Sequence, residues 1–423
     1  LSAITQHTLD NGLTILLKEV HNAPVISWNV VYCVGSRNEP TGKTGVSHWV
    51  EHMMFKGTPK FPQGVLDKAI DRVGGQWNAF TTPDFTMYFE TLPAEHIDLA
   101  LEAEADRMFN AEFDPEETES ERTVIISERQ GAENSPRFWL GEAVRNVAFR
   151  VHGYHHEIIG DMTDLYTMSR DDLYQHYRTH YTPSNAVAVA VGAFNTDEML
   201  KKIEAFYDAV PGGDKPSVFV RPEPEQMGER RVSVERPGHT AFLKVSYRVP
   251  AATDEDWFKL EILDSVLTGP GGRQDNKTSR LYQALVKTEI ATGVGGGLSE
   301  TIDPYLYSIN VTVRDDRTLQ EAEAALLAQI DRVVADGVTQ EELDKARKQA
   351  RAAFAYDTES VSNQAYWLAQ SAALGDVDWF NNYMGRLEAV TLNDVHDVAR
   401  KYLITQARTI GWLVPTGMES DLS

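Results

Sequence analysis

Apolar and polar positions along this chain fall into two successive series with the same order of elements. The first runs from about 4 to 212. It opens with strands, one of them the apolar stretch Val30, Val31, Tyr32, Cys33 and Val34, which predicts a buried strand with a structural thiol. A short helix follows around residue 50, then acidic amphipathic helices such as 94–109 and 121–129. A helix at 170–180 leads into the alternating strand 185–191, and a helix at 198–209 closes the series. A polar, proline-bearing stretch, 213–230, reads as a linker. The second series, 231–423, opens with a strand at 231–234 and a core strand at 240–249. Helices are expected at about 254–267, 278–287, 317–336 and 339–371. The segments 391–402 and 408–414 repeat the helix and strand that end the first series. Two domains of about 200 residues each, 1–212 and 231–423, are the expected organisation, with their sheets paired around a cleft.

Composition narrows the function classes. At 423 residues and 42% apolar, the chain is long enough for two cores. It contains no apolar run near the roughly 20 residues that span a bilayer. A net charge of −23 repels phosphate backbones and so excludes general nucleic-acid binding; it favours cationic peptides, or serves solubility alone. The lone cysteine, Cys33, forms no internal disulfide. The first residue is Leu1, which is consistent with a removed signal segment and a periplasmic location, or with a trimmed chain; a cytoplasmic location is the alternative.

The densest chemistry lies in His48-Trp49-Val50-Glu51-His52, an H-x-x-E-H sequence. On a helix, positions 48 and 52 project both imidazoles from one face, and Glu51 leans toward that face. Neutral imidazoles suit Zn²⁺, and a neighbouring carboxylate can take a proton from water. A catalytic zinc needs a third protein ligand. Glu128 is the candidate, with Glu121 two turns before it on the same side of a helix. Other clusters are weaker. His152, His155, His156 and Glu157 sit among Gly and Tyr and read as a substrate-side or structural loop. His176 and His180 also lie i,i+4, but without a carboxylate between them, and read as ordinary surface or core histidines. The glycine-rich stretches 269–272 and 293–297 lack the Lys-Ser/Thr of a phosphate loop and read as flexible loops.

H-x-x-E-H followed about seventy-five residues later by E-x6-E resembles the M16 metallopeptidases. The resemblance extends to Leu9-Asp10-Asn11-Gly12-Leu13-Thr14 and to Gly74-Gly75-Gln76-Trp77-Asn78-Ala79, with Thr81, Asp84, Thr86 and Tyr88 beyond. It implies an α+β fold of two homologous half-domains, each a mainly antiparallel sheet with helices packed on it. It further implies one Zn²⁺ per chain bound by His48, His52 and Glu128, with Glu51 as catalytic base and Glu121 as a supporting carboxylate of the catalytic site. The segment 74–89 would offer a strand edge to peptide substrates, with Asn78, Ala79 and Phe80 against them. One departure stands out. Family members usually carry an Arg and a Tyr in a stretch that here reads Leu285 to Thr292, where Val286 and Thr292 occupy those places. The implied partner is a paralogous M16 subunit that supplies the Arg/Tyr pair, in a heterodimer closing a peptide chamber; a homodimer is the alternative. A non-catalytic structural or substrate-holding subunit is the other function class. Such subunits typically lose a ligand or the base, whereas all four residues are present here.

Overall fold

The computed structural model describes residues 3–217, 219–270 and 276–417, so Gly271 and Gly272 of the expected loop lie outside the described residues. The chain forms two compact units, each built around one sheet. The first sheet holds β1 (Thr5–Thr8), β2 (Thr14–Glu19), β3 (Val25–Tyr32), β4 (Gln76–Thr81), β5 (Thr86–Pro93) and β6 (Ala186–Gly192). Its spatial order is β1-β2-β6-β3-β5-β4, antiparallel except for the β2–β6 pair. The helices of the first series are α1 (Val46–Met53), α2 (Val65–Arg72), α3 (Ile97–Asn110), α4 (Pro115–Glu133), α5 (Pro136–Ala148), α6 (Met162–Thr167), α7 (Arg170–His180) and α8 (Thr196–Tyr207).

The central strands are apolar on both faces because both are covered. Ile26, Trp28, Val30 and Tyr32 of β3 join Tyr88, Ala188 and Ala190 in one cluster, with residues of α1, α3, α7 and α8. Val31, Met87, Val189 and Val191 point the other way into a second cluster. That alternation produces the near-continuous apolar runs seen in the sequence. Cys33 lies one position past β3, half-buried, and burial pushes its thiol up.

The second sheet contains β7 (Arg230–Arg236), β8 (Phe242–Val249), β9 (Ala291–Gly297), β10 (Tyr305–Val313) and β11 (Arg408–Pro415). The helices of the second series are α9 (Glu255–Leu267), α10 (Leu319–Asp336), α11 (Gln340–Asp357), α12 (Val361–Ala373), α13 (Trp379–Ala389) and α14 (Leu392–Tyr402). The order β7-β11-β8-β10-β9 repeats β2-β6-β3-β5-β4, with the parallel pair β7–β11 matching β2–β6. The duplication expected from the sequence is therefore present strand for strand.

The compact units do not follow the expected division at 213–230. The first gathers residues up to 130, 156–221 and 357–381, and the second gathers 131–155, 222–356 and the chain from 382 onward. The physical reason is a reciprocal exchange of one helix. α12, from the second series, packs its buried Ala365, Leu368, Ala369 and Ala373 on β3 and β6. α5, from the first series, lays Leu140, Val144 and Ala148 on β7, β8 and β11. Gly411 of β11 permits this approach, since a Cβ there would stand 2.3 Å from Val144 Cγ2. The exchange also explains why the helix expected at 339–371 is broken. It ends at Asp357, and α12 restarts where Ser360 Oγ accepts the Asn363 N–H at 3.0 Å. The helix expected at 278–287 is only a single wide turn, Tyr282–Val286, followed by Glu289 in the left-handed region (φ 61°).

Candidate metal centre

α1 has two stripes. Val46, Trp49, Val50 and Met53, spaced i, i+3, i+4, i+7, are all at most 1% exposed and anchor the helix in the core. Each contributes roughly 1.5–3 kcal/mol of burial. The adjoining stripe carries His48, Glu51 and His52. The start of α1 is set by a residue outside it. Glu39 Oε2 accepts the Gly45 N–H at 2.7 Å, and Oε1 accepts the Ser47 N–H at 2.8 Å. Burial raises the Glu39 carboxyl to about 8, against the pull of those two bonds. Gly45 itself is left-handed (φ 88°), and a Cβ there would meet Ile159 O at 2.5 Å.

α4 supplies the facing carboxylates. It begins where Asp114 Oδ1 accepts the N–H groups of Glu116 and Glu117 at 2.8 and 3.0 Å, with Pro115 at its first position. Seven residues apart on this helix, Glu121 is buried and Glu128 is exposed. Glu128 Oε2 lies 3.8 Å from His48 Nε2 and 3.7 Å from His52 Nε2. Among the described residues, His48, His52 and Glu128 are the one group of three such side chains whose ligand atoms all lie within 4.8 Å of one another.

These donors fit a zinc ion. Zinc bonds of 2.0–2.2 Å in a tetrahedron put ligand atoms about 3.4 Å apart, a few tenths of an ångström less than the two distances from Glu128 to the imidazoles. The remaining hydrogen bonds leave the same atoms available. His52 Nδ1–H donates to Glu121 Oε1 at 2.8 Å, which places the proton there and turns Nε2 toward the cluster. His48 Nδ1 is buried without a hydrogen-bond partner among the described residues, so the polar function of this ring lies at Nε2. Burial, then the neighbouring His52, pulls His48 down to about 3, with Glu121 opposing, and the imidazole is therefore neutral. Burial also lowers His52, but the Glu121 hydrogen bond and the charges of Glu51, Glu121 and Glu128 outweigh it and raise the group. Burial would raise Glu121, yet bonds from His52 and Lys56 hold it below the usual carboxylate range.

Glu51 is buried, and its Oε2 accepts Thr81 Oγ1–H at 2.6 Å. Burial raises its carboxyl, while Thr81 and His52 lower it. Thr81 belongs to β4, which pairs only with β5 and forms one edge of the sheet among the described residues. Trp77, Ala79 and Thr81 of β4 face α1, whereas Asn78 and Phe80 face the opposite side. Asn78 is exposed. The Phe80 ring packs against Phe85, Phe89 and Tyr366, so at the edge this residue offers its backbone.

Neither of the other histidine groups joins the cluster. His176 and His180 are buried where α7 packs on α1, and His176 Nε2 lies 3.3 Å from Ser47 Oγ. His152 Nε2 meets Asp303 Oδ2 at 3.1 Å in the second unit, and His156 Nδ1 meets Glu157 O at 3.0 Å in the first. Sequence reasoning noted Thr81 without its bond to Glu51, and missed Lys56 and Glu39. Lys56, four positions after His52, was accessible from helical spacing; the other two depend on strand pairing and loop folding that local spacing does not encode.

The chain matches "Insulinase (Peptidase family M16)" over residues 14–162 and "Peptidase M16 inactive domain" over 167–350. The metal cluster lies within the first match. The chain is 29% identical over 415 residues to "Zinc protease PqqE" of Helicobacter pylori, covering 96% of this chain and 92% of that one. It is 26% identical over 422 residues to "Uncharacterized zinc protease YmxG" of Bacillus subtilis, covering 98% and 99%. The crystal structure of a protease from Helicobacter pylori superimposes with a TM-score of 0.93 at 28% identity, covering 98% of this chain and all of that one. With both M16 segments in order along its length and a two-sheet fold shared with such structures, the chain belongs to the M16 family of peptidases.

Proposed function

We propose that this chain is a zinc-dependent endopeptidase acting on unfolded peptides. The observation that carries this reading is the convergence of His48 Nε2, His52 Nε2 and Glu128 Oε2 beside the buried carboxylate of Glu51. His48, His52 and Glu128 would hold one Zn²⁺, leaving a coordination position open for water or substrate. Zinc, when bound, is the Lewis acid that acidifies water and polarises a peptide carbonyl. Glu51 is the general base. Thr81 holds Oε2, leaving Oε1 to take a proton from the attacking water and pass it to the departing amine. Glu121 is a positioning residue that acts through His52 Nδ1. The β4 edge, at Asn78 and Ala79, accepts substrate as an added strand. Such pairing tolerates many sequences but requires an extended segment.

The second part of the proposal is a paralogous partner subunit that closes a chamber and supplies an Arg/Tyr pair. Val286 is half-buried, and Thr292 is exposed with its hydroxyl 3.4 Å from Thr312 O. Neither side chain reproduces an arginine or a phenol. Arg280 is no substitute, since Glu342 holds its guanidinium at 2.6 Å.

Hydrolysis of a mixed peptide library by the zinc-loaded chain, with and without the partner, tests both parts. Turnover abolished by EDTA and by Glu51→Gln supports the peptidase reading; turnover that persists in Glu51→Gln contradicts the assigned base. Full activity of the chain alone contradicts the need for a partner.

A further inference from the structure

A cationic groove lies on the second sheet, in a chain whose net charge is −23. It is a cavity of about 240 Å³ bounded by the start of α5 and by strands β8, β10 and β9. Its floor follows from strand register: Lys244 of β8 lies opposite Asn310 of β10, and Asn310 lies opposite Gly295 of β9. One step along, Phe242, Thr312 and Gly293 form the next row. The glycines place no side chains over the β9 end, while α5 supplies the wall with Arg137 and Leu140.

Two cations meet here without carboxylates. Lys244 Nζ donates to Asn310 Oδ1 at 3.3 Å. Arg137 Nη2 donates to Thr312 Oγ1 at 2.8 Å, and its guanidinium lies 4.9 Å from the centre of the Phe242 ring. Among the described residues neither has an ion-pair partner, unlike Arg231 and Arg408 of the same unit, which pair with Glu323 and Glu229. Two positive charges left uncompensated beside neutral donors form a site for an anion. The cavity is below the roughly 300–1,000 Å³ of a drug-sized site, which matches a residue or two rather than a large ligand.

We propose that this groove binds a carboxylate carried by a peptide, with Arg137 and Lys244 as its cations. The carboxylate is either the C-terminal group or an Asp/Glu side chain; both offer the same two-oxygen acceptor. The choice of a peptide as carrier rests on the peptidase reading, but binding at this groove requires neither zinc nor turnover. Burial and the nearby Arg145 draw Lys244 down to about 8, and an entering carboxylate favours its charged form. β9 is the edge strand of its sheet, so an extended peptide can pair along it while its carboxylate enters the groove.

The test uses the full chain carrying Glu51→Gln, so that no peptide is consumed. Anisotropy of an N-terminally labelled peptide lacking Asp and Glu is compared in three forms: free C-terminus, C-terminal amide, and amide with one internal Glu. The free acid or the Glu form should bind at least about tenfold tighter than the neutral amide, and which of the two does so identifies the source of the carboxylate. That advantage should fall below about twofold in Arg137→Gln, a change at an exposed position that leaves the core intact, and in Lys244→Met. Equal binding of the three peptides, no binding of any, or an advantage that survives both substitutions overturns the proposal. None of these readings depends on whether the wild-type chain hydrolyses peptides.

Discussion

α1 and α9 occupy the same place in the two series, each following the strand at the heart of its sheet and preceding the edge strand. Their surfaces differ in kind. α1 is held by one apolar stripe and keeps His48, Glu51 and His52 on the stripe beside it. α9 is buried nearly all round, through Trp257, Phe258, Leu260, Ile262, Leu263, Val266 and Leu267. Its one buried carboxyl, Asp264, accepts Thr268 Oγ1–H at 2.7 Å, and burial raises it to about 7. The same scaffold thus uses one helix to present chemistry and its counterpart to fill a core. What separates them is whether a facing helix brings carboxylates to the polar stripe: α4 brings Glu121 and Glu128 to α1.

Substitutions should separate the two helices, with the largest effect at α1. Glu51→Gln should lower kcat by about 10²–10⁴-fold with zinc content unchanged. His48→Ala should abolish zinc binding as measured by metal analysis. Glu121→Gln comes next, since it removes the acceptor that orients His52. A loss of about 10–100-fold in zinc affinity or activity is expected, read by competition with a chelating dye. Thr81→Val should lower kcat several-fold, about 1 kcal/mol, because one hydrogen bond to the base is lost while the metal ligands stay in place.

The smallest effect belongs to α9 and appears in stability alone. Asp264 is raised from its ordinary 3.8 to about 7 in the folded chain, so folding takes up a proton between those values. Stability should therefore fall as pH rises from about 4 to 7 and level off above that range. Asp264→Asn should flatten that slope in urea midpoints taken at pH 5 and 8 without changing peptide hydrolysis. An activity loss in this variant comparable to that of Glu51→Gln would mean the two helices are not divided in role as described.

Much of this division was legible in the sequence, for identifiable reasons. Helical spacing alone places His48 and His52 together, and two turns of α4 put Glu121 and Glu128 on one side. The duplication was legible as a repeated sequence of elements, but the order of strands within each sheet was not. Other features arise from long-range assembly. Thr81 reaches Glu51 only because β4 pairs at the sheet edge beside α1. Glu39 caps α1 from a preceding turn. The exchange of α5 and α12 cannot be read locally, because an amphipathic helix records that it is buried but not on which sheet. The direction of the Phe80 ring is hidden for a related reason: strand alternation turns it into the α12 layer. The paired series of glycines in β9 read as a loop and proved to be a strand.

The most direct test of the account is the location of zinc in the loaded chain, found by anomalous diffraction at the zinc edge. One ion is expected about 2.0–2.2 Å from His48 Nε2, His52 Nε2 and a Glu128 oxygen, with Glu121 still on His52 Nδ1. An ion held elsewhere, or a loaded chain with no zinc among these three side chains, would contradict it.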